Sequence, residues 1–156
     1  MKSTLILVGR TADKLYSEGI ADYESRIGHY IPFNIKVIPE LRNTKSLSFD
    51  QQKEKEGELI LKNIETKDFV VLLDEHGRQF RSVEFARWIS TRLHDARPLT
   101  FIIGGPYGFS DAVYARADFK ISLSPMTFSH QMVRLIFVEQ LYRACTIMRG
   151  EPYHHE

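Results

Sequence analysis

The chain has 156 residues, 43% of them hydrophobic and 26% charged, which is the size and mix of one globular domain over 1–156 and excludes a disordered chain. No stretch approaches the roughly 18 apolar residues of a membrane span, and no signal-peptide cleavage pattern opens the chain; Cys145 is the only cysteine, so a cytoplasmic protein without membrane partner or internal disulfide is expected. With a net charge of +1, and Lys and Arg spread among Asp and Glu, any RNA site must be local.

β-Branched and apolar runs predict strands at 3–8, 33–39, 69–73, 99–103 and 119–123, separated by helical spacing at 14–30, 48–64, 82–94, 110–117 and 130–148. This alternation is that of an α/β domain with a parallel sheet. The third and fourth strands are apolar without interruption, as central strands covered on both faces should be. Four helices are preceded or opened by a serine able to cap. The last carries a stripe of Leu135, Val138, Leu141, Cys145 and Met148, which makes Cys145 a packing residue. The Lys- and Glu-rich run 51–58 reads as a solvated helix face.

No Gly-x-Gly-x-x-Gly or P-loop pattern is present, and Cys145 and the six histidines lack metal-ligand spacing, so no metal is expected. Two loops at strand carboxyl ends, the edge where α/β sheets place ligands, could hold one. Gly104-Gly105-Pro106-Tyr107-Gly108 permits close backbone approach, or is simply a tight turn before the helix after it. The loop 122–130 mixes hydroxyls, apolar side chains and backbone amides suited to an adenosine, or merely leads into a helix capped near Ser129. Glu139 and Arg143 stand at intrahelical ion-pair spacing. The tail places Tyr153 and His154 after Gly150 and Pro152, where they could stack on a base and move a proton, or only dock the terminus.

Taken in order, Leu72-Leu73-Asp74, Gly104-Gly105-Pro106-Tyr107-Gly108, 123–130, Gln131-Met132-Val133-Arg134, 139–144 and Pro152-Tyr153-His154 resemble the SPOUT family of S-adenosylmethionine-dependent RNA methyltransferases. Within it the likeness is to the branch acting on large-subunit ribosomal RNA, and it runs from the first strand to the terminus. The resemblance implies a SPOUT-type parallel-sheet domain with a carboxyl-terminal trefoil knot, a homodimer with a shared active site, and methylation of N3 of a pseudouridine in ribosomal RNA of the assembled ribosome. It assigns S-adenosylmethionine contacts to Leu73, Gly104, Gly105, Leu123, Ser124, Pro125, Met126, Thr127 and Phe128. RNA binding or methyl transfer falls to His130, Arg143, Tyr153 and His154, with His154 the first choice of proton acceptor. Ser129, where the family often has proline, and His155, where it often has Lys or Arg, depart from the pattern. A catalytically inactive ribosome-binding module of the same fold is the alternative.

Overall fold

The protein is described by a computed structural model covering residues 2–155; Met1 and Glu156, the two ends of the expected domain, lie outside the described residues. The strands are β1 (Ser3–Val8), β2 (Phe33–Ile38), β3 (Phe69–Gln79), β4 (Leu99–Ile103) and β5 (Phe119–Ser122). The helices are α1 (Lys14–Ile27), α2 (Phe49–Lys62), α3 (Ser82–Leu93), α4 (Asp111–Arg116) and α5 (Met132–Met148). All strand pairings are parallel, in the order β2-β1-β4-β3-β5.

The register explains the uninterrupted apolar strands. Leu5 lies opposite Phe101, itself opposite Val71, and all three point into one core with α1, α3 and α5. One residue on, Ile6, Ile102 and Leu72 align and point to the other face, under α2 and α4. Both faces are therefore dry, which a period-two pattern could not have provided. Cys145 is fully buried, and burial pushes its thiol up to about 12, in keeping with packing.

The helices begin and end within about three residues of expectation, the margin at which capping rather than periodicity decides. The last starts at Met132 instead of 130, because Ser129 takes up the turn before it. β3 differs more. It runs on to Gln79 instead of ending at 73, because Leu73 and Arg78 both face Ile121 and residues 74–77 are looped out as a bulge. A Cβ on Gly77 would come within 2.6 Å of the Ile121 backbone, so only glycine lets the bulge close on β5.

Candidate cofactor cleft and tail cluster

A cleft of about 670 Å³ opens at the carboxyl ends of β3, β4 and β5. All nine residues assigned to cofactor binding line it: Leu73, Gly104, Gly105, Leu123, Ser124, Pro125, Met126, Thr127 and Phe128. His130 lines it as well. Its volume is within the roughly 300–1,000 Å³ of small-ligand sites, and its mixture of apolar side chains, hydroxyls and backbone fits a nucleoside.

Serine hydroxyls give the loop after β5 its shape. Ser122 Oγ donates to the Ser124 carbonyl at 3.0 Å, and Ser124 Oγ accepts the Met126 N–H at 2.9 Å. Ser129 Oγ accepts the Met132 N–H at 3.0 Å, so the serine that departs from the family pattern holds the first residue of α5. On the opposite wall Asp74 holds the β3 bulge, accepting the Tyr114 hydroxyl at 2.7 Å and the His76 N–H at 3.2 Å. Burial, then Asp74, push the Tyr114 phenol well above its ordinary value, so it stays a donor.

The glycines serve the protein more directly than the ligand. A Cβ on Gly104 would lie 2.9 Å from the Phe109 ring, and one on Gly105 would lie 2.7 Å from the Glu56 carboxylate. Gly108 alone of this loop has positive φ, at 84°, and so makes the turn. Glu56 accepts the Gly105 N–H at 3.1 Å and fixes the loop to α2. Burial first, and then Glu40, push the Glu56 carboxyl up, against the pull of that N–H.

Arg134 was legible as a charge on the last helix, but not as what it is: a fully buried guanidinium. It donates to the carbonyls of Val8 at 2.7 Å and Gly9 at 2.8 Å, to Thr11 Oγ1 at 3.1 Å and to the His130 carbonyl at 3.2 Å. The start of α5 is thereby tied to the end of β1. Burial lowers the Arg134 pKa, partly offset by Glu40.

Arg143, Tyr153 and His154 form a second group, and the hub is Glu139. Its Oε1 accepts Arg143 Nη2 at 2.6 Å, Arg143 Nε at 3.1 Å and the Tyr153 hydroxyl at 3.0 Å. Arg143 Nη1 donates to His154 Nδ1 at 3.1 Å, and its guanidinium lies 4.8 Å from the Tyr153 ring centre. Tyr153 also meets Tyr142 edge-on and lies 3.4 Å, hydroxyl to hydroxyl, from Tyr23. Burial leads these contacts in raising the Tyr153 phenol. Gly150, with φ of 67°, turns the tail back, and Glu151 accepts the Tyr30 hydroxyl at 2.5 Å, which pushes that phenol up to about 12. The tail is thus docked, and His155 is exposed at its end. Docking and chemistry are compatible, because the same contacts orient Arg143 and His154.

The two groups are apart within one chain. Val133 lines the cleft, and Arg143 follows ten residues later on the same helix, about 15 Å along its axis. His130 belongs to the cleft, whereas Arg143, Tyr153 and His154 are not among its lining residues. Among the described residues no three His, Cys, Asp or Glu side chains converge on a possible metal position, and no helix is long and apolar enough to cross a membrane.

Residues 1–154 match the family model described as "Predicted SPOUT methyltransferase". The chain is 64% identical to the ribosomal RNA large subunit methyltransferase H of Phocaeicola vulgatus and 51% identical to that of Flavobacterium johnsoniae, with 100% of each chain covered in both cases. The solved structure of a "probable methylase family protein" from Haemophilus influenzae Rd KW20 matches with a TM-score of 0.54 at 12% identity, over 99% of this chain and 70% of that one. At that identity the likeness speaks for the fold alone.

Proposed function

This chain belongs to the SPOUT methyltransferase family, among the ribosomal RNA large subunit methyltransferase H proteins, and on that premise we propose that it moves a methyl group from S-adenosylmethionine to N3 of a pseudouridine in 23S ribosomal RNA. The observation that carries the cofactor assignment is the cleft at the ends of β3, β4 and β5, lined by all nine assigned residues. The strand order is compatible with the trefoil knot of the family. When bound, the cofactor supplies an electrophilic methyl on a sulfonium.

The protein's part is alignment and charge. Leu73, Gly104, Gly105 and the loop from Leu123 to Phe128 hold the nucleoside, with His130 at the edge of the cleft. In taking the methyl, the imide nitrogen would give up its proton to water while the methyl–sulfur bond breaks with its electron pair left on sulfur, and negative charge would gather on the flanking carbonyls. Arg143 and His154 are the groups suited to meet that charge, with Arg143 held by Glu139 and set against the Tyr153 ring.

About 15 Å of helix separates cleft from tail cluster within one chain, which supports a site shared between two subunits. A homodimer in which the tail of one subunit faces the cleft of the other provides one, with cyclic symmetry as the usual form. The substrate is ribosomal RNA in the assembled ribosome, in the cytoplasm. The test is to incubate the protein and labelled cofactor with ribosomes, free subunits and naked RNA, and to map the methylated nucleotide. Label confined to one 23S pseudouridine supports the reading; cofactor binding without transfer to any RNA refutes it in favour of an inactive module.

A further inference from the structure

A second cavity, of about 210 Å³, adjoins the cofactor cleft. It lies at the ends of the two strands the cleft does not use: Val8 closes β1, and Glu40 and Leu41 follow β2. Gly105, Pro106, Tyr107 and His130 line both spaces and form their common wall. One sheet edge therefore carries two adjoining chambers, which is the geometry that transfer between two bound molecules requires.

The chambers differ in chemistry. Glu40, Glu56, Gln52 and Thr44 are among the residues lining the second, and Gln52 Nε2 donates one N–H to the Leu47 carbonyl at 3.4 Å, which leaves its other N–H and its oxygen. An ionised carboxylate only accepts and therefore seeks an N–H, while an amide and a hydroxyl can also donate to carbonyls. That set complements the edge of a uracil-type ring, where N–H and C=O alternate. Glu56 spends one hydrogen bond on Gly105, and a carboxylate can accept about four. At the rim, Phe49 and Tyr107 stack with centroids 4.3 Å apart, although they are 64% and 43% exposed. Lys53, one helical turn beyond Phe49, reaches the neighbouring cleft. An exposed aromatic face beside a lysine suits a single-stranded nucleotide.

We propose that this second cavity receives the base to be methylated, with Glu56 accepting the N1–H so that N3 stays free for the methyl, and with Gln52 and Thr44 meeting its carbonyls beside the groups of the partner subunit's tail. The inference rests on the methyltransferase reading and adds to it the residues that hold the acceptor. Glu56→Gln keeps an oxygen for Gly105 but sets an amine where the base needs an acceptor. Gln52→Leu alters the cavity without touching the cofactor loop.

Both variants are assayed for methyl transfer to ribosomes at varied ribosome concentration, and for S-adenosylmethionine affinity by calorimetry. Each should lower kcat/KM by about 10- to 100-fold, the worth of one lost hydrogen bond to a charged or desolvated partner, with cofactor affinity within about twofold of wild type. Wild-type rates in both folded variants overturn the proposal. So does a loss of cofactor affinity that matches the loss of rate, because the cavity would then hold the amino-acid end of the cofactor. A wild-type chain that binds cofactor but methylates no ribosomal RNA overturns the functional reading itself, a different result from an active wild type with active variants.

Discussion

Arg143 donates a hydrogen bond to Nδ1 of His154 across 3.1 Å. A guanidinium has no acceptor, so the imidazole lone pair is on Nδ1 and the neutral ring carries its proton on Nε2. With Nδ1 so occupied, His154 can take a proton there only after this hydrogen bond is broken. We propose from this geometry that His154 acts as a donor, where its residue type suggests a proton acceptor.

His154→Ala should accordingly slow methyl transfer by about 10²-fold, the usual loss on removing one donor aimed at developing charge. Raising the pH should not restore the rate, since hydroxide can replace a lost base but not a lost donor. A pH profile of the variant decides: recovery at high pH makes His154 the base.

Glu139 should matter as much as the residues it holds, because it collects Arg143 and the Tyr153 hydroxyl on one oxygen. Glu139→Ala is expected to destabilise the fold by about 1–3 kcal/mol, to abolish most methyl transfer, and to leave cofactor affinity intact. Denaturant unfolding and calorimetry on the same sample check all three, and loss of cofactor binding would show the tail and cleft to be coupled within one chain.

Arg134→Met leaves the Val8 and Gly9 carbonyls buried without their donor. The expected cost is about 3–5 kcal/mol, or a fall in Tm of about 10 °C for a chain of this size. An unchanged Tm would mean that the β1 end finds another donor.

What the sequence made legible follows physical range. Strand and helix positions rest on local periodicity, and the five strands and five helices fall where it puts them, apart from the extension of β3 to Gln79. The loops that line the cleft were picked out because glycines and serines cluster directly after apolar strands. The β3 bulge was not, since the need for Gly77 comes from the backbone of Ile121, more than forty residues away. Arg134 was likewise unreadable: a charge on an amphipathic stripe looks solvated until the carbonyls of β1 are seen around it. The second cavity combines β1, β2, α2 and the glycine loop, a juxtaposition no local pattern announces.

Glu56 gives a pH-dependent prediction. Its carboxyl is raised in the folded chain, chiefly by burial, so the folded state holds its proton more tightly than the unfolded one. Stability tied to this group is therefore present below the ordinary carboxylate range and lost as pH rises through the raised value. Glu56→Gln should have a Tm at or above wild type at neutral pH, with the difference closing in acid. A neutral-pH Tm clearly below wild type would show that the charge stabilises the loop.

The separation of cleft and tail along α5 is tested most directly by mixing two inactive variants, Gly105→Val, which drives a side chain into Glu56 and displaces the cofactor loop, and His154→Ala. If each active site takes its cleft from one subunit and its tail from the other, random exchange makes half the dimers mixed, and each mixed dimer has one intact site. The mixture should then methylate ribosomes at about a quarter of the wild-type rate. A mixture no more active than its two components would place the whole site within one chain and contradict this account.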